Sequence, residues 1–268
     1  MNYELVKKSF ITVINKLYNT QKLTLPNGLI LFCLPDGFGS IEENLFENVY
    51  FSVEELKFAK SIVDLGAHSG AFTVFSILNA KENTKIISLE PNPANFEILL
   101  KNIKLVESVA TSKNLKLECL KMAVSDKTGL SNLKISFWSE SSHLSEDGDV
   151  LVPTISIIQD LLLNLESPVV IKMDIEGEEC NIFRKNTSWL DQIDLIAIEN
   201  HGCENEIIQK LKNRGFEVIV DNRKIDKKFA WYWIKTSPKK YTYVISLYRL
   251  IVSTLIKPEV SIIKGIRK

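Results

Sequence analysis

The sequence predicts an α/β protein with a doubly wound, mostly parallel sheet that helices cover on both faces. Apolar runs of strand length recur along the chain, and segments with helical periodicity separate most of them. One run ends in an acid and a glycine turn and leads directly into a helix, which is typical of a nucleotide-binding unit. The seven strand candidates are residues 62–65, 85–89, 115–121, 168–173, 194–198, 216–220 and 229–234.

The first strand candidate continues into a glycine turn and a helix, in residues 62–73 (IVDLGAHSGAFT). Gly66 allows a sharp turn off the strand and a close approach of a ligand to the backbone, and Gly70 does the same where the helix begins. The helix expected from Ala71 to Ala80 is apolar on nearly every side, so we expect it to lie between the sheet and another layer. Its N-terminus then points at a ligand.

A second acid follows the next strand candidate. Glu90 comes directly after residues 86–89 (IISL), at the carboxyl end of the predicted strand. A carboxylate at this place can accept hydrogen bonds from both hydroxyls of an adenosine ribose. Asn92 suits the N-cap of a new helix, with Pro93 at the first helical position.

The turn lacks the G-x-G-x-x-G pattern with which dinucleotide-binding proteins hold a pyrophosphate. His68 takes the middle glycine position and Ala71 the last one. Asp64 places a negative charge at the end of the strand, which repels phosphate and attracts a cation. S-adenosylmethionine carries a sulfonium and an ammonium group but no phosphate, so the acids around the turn favour it over NAD.

Four segments in this order carry a resemblance to a known family: residues 63–70 (VDLGAHSG), 89–93 (LEPNP), 123–129 (AVSDKTG) and 172–179 (KMDIEGEE). From about Ile62 to His201 the chain resembles the FkbM family of S-adenosylmethionine-dependent methyltransferases. The family more usually carries Asn where this chain has His68. Both residue types are enriched at positive φ, so we expect the turn to keep its shape.

The resemblance implies the class I methyltransferase fold, a Rossmann-like sheet of seven strands of which the last is antiparallel. We expect residues 229–234, which are rich in aromatic side chains and follow a turn-like segment, to form that last strand. Residues 130–155 show no clear helical period, and we expect them to form short strands and a loop near the acceptor pocket.

We expect the cofactor to be S-adenosylmethionine. Residues on the turn, at the ends of the strands and in the four segments quoted above are assigned to its site. These residues are Asp64, Gly66, Ala67, His68, Gly70, Phe72, Thr73, Glu90, Pro91, Asn92, Ala123, Val124 and Asp174.

The catalytic candidates are Asp174, Glu176 and His201, which all follow predicted strands at the edge where ligands bind in such sheets. Methyl transfer is an in-line displacement, so holding the acceptor oxygen and the methyl carbon in line supplies most of the catalysis. An alcohol must also lose its proton. Asp174 or His201 is the candidate general base, His201 because an imidazole titrates near neutral pH. Alternatively, Asp174 only contacts the amine of the cofactor or holds the loop.

Glu176 follows its strand directly, where it either binds the acceptor or caps the next helix at its positive end. A divalent metal is an alternative that we do not expect. Its ligands would be Asp174 with Glu199 or Asn200, because hard oxygen ligands can orient a hydroxyl acceptor.

We predict an O-methyltransferase that acts on a hydroxyl of a sugar, in a glycan or a glycosylated natural product. The resemblance to the family is the reason for preferring oxygen. The aromatic side chains Phe137, Trp138, Trp231 and Trp233 are candidates for stacking on a sugar. Two other classes stay open: an oxidoreductase with NAD in the same pocket, and a non-catalytic, membrane-associated interaction protein of a glycan-assembly complex.

The composition is that of a globular domain, with 268 residues of which 45% are hydrophobic and 25% charged. We divide the chain into an N-terminal helix and strands that pack on the core (1–60), a methyltransferase domain (61–236) and a basic, apolar helical tail (237–268). A helix is expected at residues 3–18. No signal peptide is recognised, so a cytoplasmic location is expected.

Eight Lys or Arg residues and one acid lie between Lys235 and Lys268. Such a tail either docks on the domain or on a second copy of the chain, or lies on an anionic membrane surface, which here is the inner face. Nucleic acid is not an expected partner, because the basic residues are few. Without any C-x-x-C pair, the four cysteines Cys33, Cys119, Cys180 and Cys203 are expected to be reduced packing residues.

Overall fold

A computed structural model describes residues 20–25, 28–34, 37–45, 48–136, 141–222 and 261–267. Several predictions fall on other residues and so lie outside the described part of the chain. They are the helix at 3–18, any structure at 229–234, most of the tail, and the aromatic side chains Phe137, Trp138, Trp231 and Trp233.

The described elements begin with a short hairpin and two short helices, and the alternating strands and helices of the central domain follow. In chain order they are β1 (Gln21–Thr24), β2 (Ile30–Cys33), α1 (Phe38–Leu45), α2 (Val53–Phe58), β3 (Ser61–Leu65), α3 (Ala71–Asn79), β4 (Lys85–Leu89), α4 (Pro93–Leu105), α5 (Glu107–Ser112), β5 (Lys116–Leu120), β6 (Ala123–Ser125), β7 (Gly129–Lys134), β8 (His143–Leu144), β9 (Val150–Ser156), a π turn (Ile157–Leu161), β10 (Val169–Met173), α6 (Glu178–Arg184), a 3-10 turn (Ser188–Gln192), β11 (Leu195–Asn200), α7 (Glu204–Asn213), β12 (Phe216–Asn222) and β13 (Ser261–Arg267). Among these described helices, none is long and apolar enough to cross a membrane.

The central sheet has seven strands in the order β12-β13-β11-β10-β3-β4-β5. The pairs from β11 to β5 are all parallel, whereas β13 runs antiparallel to both of its neighbours. The predicted fold class is therefore confirmed. Of the predicted strands, the first six correspond to β3, β4, β5, β10, β11 and β12.

The antiparallel strand of the sheet is formed by residues 261–267, whereas the residues predicted for it, 229–234, lie outside the described part of the chain. The expectation of a helix at the end of the tail is wrong. Lys264 and Arg267 are two of the eight basic residues of the predicted tail, and both have partners in the fold. Lys264 Nζ lies 2.6 Å from Glu55 Oε1, and the guanidinium of Arg267 lies 4.6 Å from the ring centre of Phe216. Because these contacts accommodate the charges, the neighbouring apolar residues Ile262 and Ile263 can be buried in the sheet.

The two faces of the sheet bury separate apolar clusters, since successive side chains of a strand point to opposite sides. On one face, Ile62 and Ile86 pack with α3, the N-terminal hairpin and α2. On the other face, Val63 and Ile87 pack with α6 and α7. Helix α3 is buried from Ala71 to Ile77, which confirms that it lies between the sheet and another layer.

The insert between β5 and β10 forms a second, four-stranded sheet in the order β6-β9-β7-β8. The expectation of short strands within residues 130–155 is therefore confirmed. β6 pairs with β9 in parallel, and β7 pairs antiparallel with both β9 and β8.

Cys180 and Cys203 form a disulfide, so the expectation that all four cysteines are reduced is wrong for this pair. Their Cα atoms lie 5.7 Å apart, which is within the usual range for a bridge. Because the two residues are 23 positions apart, no short sequence motif indicates that they pair. Cys33 is buried and Cys119 is half-buried. The bridge joins α6 to the residue before α7.

Candidate active site

The turn between β3 and α3 has the backbone shape that its sequence predicts. Gly66, His68 and Gly70 have φ angles of 76°, 50° and 83°, all in the left-handed region. A Cβ atom at Gly66 would lie 1.8 Å from the backbone oxygen of Asp174, so only glycine lets the turn pass this close to the end of β10. The expectation that the turn tolerates His68 is confirmed.

Glu90 lies at the carboxyl end of β4 and is held in place by backbone amides. Its Oε2 accepts a hydrogen bond from the His68 amide at 2.8 Å, and its Oε1 accepts one from the Asn92 amide at 2.9 Å. Asn92 caps α4 as predicted, because its Oδ1 accepts a hydrogen bond from the Ala94 amide. Burial raises the pKa of Glu90 to about 7. The carboxyl group is thus fixed where a ribose contact is predicted.

Asp64 does not present its charge to a ligand, so the argument that it attracts the cation directly is wrong. Its side chain is 0% exposed beneath the turn. Oδ2 accepts a hydrogen bond from the Thr73 hydroxyl at 2.7 Å, and Oδ1 lies 3.4 Å from Lys172 Nζ. Burial raises the pKa of Asp64, and the ammonium of Lys172 opposes that rise. Asp64 is therefore compensated inside the protein.

Lys172 belongs to this region but was not among the predicted site residues, although it begins the KMDIEGEE segment. Its Nζ donates to the backbone oxygen of Gly66 at 2.6 Å and lies 3.5 Å from Asp174 Oδ2. Burial alone would lower the pKa of Lys172, but the carboxylates of Asp64, Asp174 and Glu199 raise it. A lysine inside an apolar strand was the available signal, because such a residue needs an acidic partner.

The three predicted catalytic side chains lie together at the carboxyl ends of β10 and β11. One ligand-type atom from each of Asp174, Glu176 and His201 lies within 4.8 Å of the other two. His201 Nε2 is 3.6 Å from Glu176 Oε2. Glu199 joins them at the end of β11. We call the carboxyl groups of Asp174, Glu176 and Glu199 the acidic rim.

His201 is surrounded by carboxylates. Burial lowers the pKa of an imidazole, but a hydrogen bond to Glu179 and the charges of Glu179, Asp174 and Glu176 raise the pKa of His201 well above its usual value. The surrounding carboxylates therefore favour the protonated imidazole, and the role of His201 as the general base stays a prediction. Burial and the charge of Asp174 raise the pKa of Glu176.

Glu179 is a second residue that the sequence analysis missed as part of the site. Its side chain is fully buried, and the backbone amides of Ile175 and Gly177 donate to it at 2.9 and 2.8 Å. Oε1 lies 3.1 Å from His201 Nδ1. Glu179 therefore fixes both the loop after β10 and the orientation of the His201 ring.

Tyr50 brings the N-terminal part of the chain to the acidic rim. Its hydroxyl lies 2.6 Å from Glu199 Oε2 and 3.2 Å from Asp174 Oδ2. The ring packs edge-on against Phe72, which is one of the predicted cofactor residues. No sequence signal indicated Tyr50, because it lies 124 positions from Asp174 and 149 positions from Glu199.

The remaining predicted residues lie around the same edge of the sheet with varied surroundings. Thr73 is buried and bonded to Asp64, and the buried Val124 packs in the cluster that includes Leu89. Ala67 and Ala123 are buried as well, and Pro91 is half-buried before α4. Asn200 holds a turn, since its Oδ1 accepts hydrogen bonds from the amides of residues 202 and 203.

Comparison with known proteins gives one match to a family. The sequence profile of the methyltransferase FkbM domain matches residues 64–218, which is more than half of the chain. A comparison with curated proteins finds no match.

Several solved structures are similar in fold. Methyltransferase FkbM from Methylobacillus flagellatus KT is 15% identical with a TM-score of 0.47, and the match covers 70% of this chain and 47% of that one. Precorrin-6y C5,15-methyltransferase from Geobacter metallireducens GS-15 is 13% identical with a TM-score of 0.39, covering 80% and 86%. M. jannaschii TYW2, solved in complex with AdoMet, is 13% identical with a TM-score of 0.39, covering 93% and 87%. The chain thus spans about half the length of the FkbM structure.

The matched residues 64–218 include the glycine turn, Glu90 and the KMDIEGEE segment, and the central sheet has the strand order described above. Since the profile covers more than half of the sequence, the chain belongs to the FkbM family of methyltransferases.

Proposed function

We propose that this chain is an S-adenosylmethionine-dependent O-methyltransferase whose acceptor is a hydroxyl group of a sugar, in a glycan or a glycosylated natural product. The observation that carries the donor assignment is the fixed carboxyl group of Glu90. The amides of His68 and Asn92 orient it at the carboxyl end of β4, where a ribose can donate two hydrogen bonds.

The turn itself fits the donor. Ser69 Oγ is buried and has no hydrogen-bond partner among the described residues, which leaves a hydroxyl for a polar group of a ligand. Gly70, the N-cap of α3, has no side chain that could occupy the start of the helix. His68 fills the middle glycine position of the dinucleotide pattern, which disfavours a pyrophosphate. When bound, the donor supplies the electrophilic methyl group.

The acidic rim favours a neutral acceptor that is rich in hydroxyl groups. Carboxylates accept hydrogen bonds from hydroxyls, whereas a phosphate or carboxylate on the acceptor would be repelled. This preference agrees with a sugar.

Asp174 is the general base in this proposal. Oδ1 is buried and has no hydrogen-bond partner among the described residues, while Oδ2 lies near the Tyr50 hydroxyl and Lys172. The acceptor oxygen forms a bond to the methyl carbon as the bond from sulfur breaks, and the hydroxyl proton passes to Asp174. His201 lies beside Glu176 and Glu179 and holds these carboxyl groups in place.

Calorimetric titration of the purified chain with S-adenosylhomocysteine tests the donor assignment, with NAD as the control ligand. We expect binding of S-adenosylhomocysteine alone, and Glu90→Gln should weaken it at least tenfold. Glu97→Gln, at an exposed position of α4, is the matched control and should bind like the unmodified chain. Binding of NAD instead would contradict the proposal, and binding of neither ligand would support the non-catalytic alternative.

Transfer of a labelled methyl group to a panel of sugars tests the acceptor. Asp174→Asn should lower kcat by about a hundredfold or more with little change in donor affinity, because a general base contributes that much to proton transfer. Methylation of nitrogen or carbon acceptors alone, or unchanged turnover in Asp174→Asn, would overturn the assignment of an oxygen acceptor with Asp174 as its base.

A further inference from the structure

We propose that Asp174, Glu176 and His201 form a binding site for one divalent transition-metal ion, with Mn²⁺ as the representative ion. These side chains offer one imidazole nitrogen and two carboxylate oxygens that all lie within 4.8 Å of one another. An ion bound at about 2.0–2.4 Å holds its ligand atoms roughly 3–4.5 Å apart, so small side-chain movements close the site. The residues follow two neighbouring strands, which gives the site a rigid base.

The contact between His201 and Glu179 is the second, independent observation. Histidines that bind metals usually donate their other ring N–H to a carboxylate, which fixes the tautomer and the ring orientation. Here Glu179 Oε1 lies 3.1 Å from His201 Nδ1, and two backbone amides anchor Glu179. Nε2 is then directed to Glu176 Oε2, at 3.6 Å, which is too far for a good hydrogen bond. Both atoms can bind one ion once it displaces the proton from Nε2, because an imidazole binds a metal in its deprotonated form.

Asp174 and the disulfide add to this arrangement. Asp174 Oδ1 is buried without a hydrogen-bond partner among the described residues, so it retains the capacity to bind an ion. Cys180 follows Glu179, and Cys203 lies two positions after His201, so their bridge ties together the two loops that carry the ligands. The ligand atoms are therefore held close before any ion arrives.

The structure favours a different ligand set from the one considered from sequence. Glu199 lies 2.6 Å from the Tyr50 hydroxyl, and Asn200 Oδ1 accepts two backbone hydrogen bonds in its own turn. The ligands proposed with Asp174 are therefore Glu176 and His201 in place of Glu199 or Asn200. One imidazole with two carboxylates suits a first-row divalent ion such as Mn²⁺ better than Mg²⁺, which prefers oxygen ligands only.

The role of the ion rests on the proposed function. An ion at the acidic rim lies at the edge of the sheet where the acceptor is expected, and it can bind a sugar hydroxyl and lower its pKa. Binding of the ion itself does not depend on methyl transfer.

Calorimetric titration of the full chain with MnCl₂, without any cofactor, tests the site. We expect one ion per chain, and at least a tenfold weaker affinity in His201→Gln and in Glu176→Gln. Glu179→Gln should also weaken binding about 10- to 100-fold, although Glu179 would not touch the ion. His143→Gln, which alters an exposed histidine on β8, should bind like the unmodified chain.

Two results would overturn the site: no binding by the folded, unmodified chain, or equal affinity in the His201→Gln and His143→Gln variants. Circular dichroism of each variant confirms that it is folded. A parallel titration with S-adenosylhomocysteine in the presence of EDTA separates this inference from the proposed function. If the chain binds Mn²⁺ but not S-adenosylhomocysteine, only the proposed function is contradicted. If it binds S-adenosylhomocysteine but not Mn²⁺, only the metal site is contradicted.

Discussion

Lys172 links the two parts of the candidate site at the scale of single residues. Its ammonium contacts Asp64 under the turn, the backbone of Gly66 within the turn, and Asp174 at the acidic rim. A lysine so deeply buried is costly unless it is paired, and its carboxylates are equally costly without it. The ion pair of Lys172 with Asp64 therefore has a structural role: it holds the turn at Gly66 in place.

Lys172→Met is expected to lower the free energy of unfolding by about 3–5 kcal/mol, because it leaves the buried Asp64 without its cation. Urea denaturation measures the loss. Adding Asp64→Asn in the same chain should recover part of it, since the uncompensated charge is then removed. Lys101→Met, at an exposed position of α4, is the control and should change stability by less than about 0.5 kcal/mol. Equal stability of both single variants would contradict this account.

Glu90 gives a pH dependence with a definite sign. Burial raises the pKa of Glu90 in the folded chain from 4.5 to about 7, so between these values the folded state holds a proton that the unfolded state has lost. The Glu90 contribution to stability is therefore fully present below pH 4.5 and falls as pH rises towards 7, by on the order of 3 kcal/mol.

The measurement is urea denaturation at pH 5 and pH 8 for the unmodified chain and for Glu90→Gln. The variant removes this titration, so the unmodified chain should lose more stability than the variant across that interval. A difference between the two proteins that does not change with pH would show that Glu90 keeps its ordinary pKa.

At the scale of elements, the turn between β3 and α3 depends on close backbone contact as well as on dihedral angles. Gly66 and Gly215 have similar φ angles, 76° and 80°. An added Cβ would meet the Asp174 backbone oxygen at 1.8 Å in Gly66, but nothing within 4 Å in Gly215. The two glycines therefore separate backbone strain from steric overlap.

Gly215→Ala is expected to cost about 1 kcal/mol, the usual penalty for a side chain at positive φ. Gly66→Ala should cost at least about 2–3 kcal/mol more, because β3 and β10 must move apart to relieve the overlap. Urea denaturation of both variants gives the comparison. Equal costs for the two substitutions would contradict this account, because they would mean that the backbone near Asp174 can accommodate a Cβ atom at position 66.

At the scale of the whole molecule, the parts that local patterns encode were predictable. The turn at Gly66, the cap at Asn92 and the placing of Glu90 follow from residue types at short spacings. The contacts that join distant segments were not. Tyr50 meets Glu199 across 149 positions, and the bridge between Cys180 and Cys203 has no local motif.

The seventh strand shows the same limit. β13 lies between β11 and β12 in the sheet, but in sequence it follows β12 after 38 further residues. Its lysine and arginine contributed to the prediction of a basic tail, because their partners, Glu55 and Phe216, belong to other parts of the chain. The hydrophobic period and the charge of a segment can be read from its own residues. Its position in a sheet depends on contacts with strands that are distant in sequence.

A substitution in β13 tests whether the sheet closes in this way. Ile263 is 0% exposed and pairs in register with Ile198 of β11 and Val220 of β12. Ile263→Ala should cost about 2–5 kcal/mol, since it leaves a cavity inside the sheet's apolar cluster. Ile219→Ala, at a position of β12 that is 50% exposed, should cost less than about 1 kcal/mol. Because a peripheral tail would tolerate both changes alike, equal losses in urea denaturation would remove β13 from the sheet, and a large loss at Ile263 alone supports its place between β11 and β12.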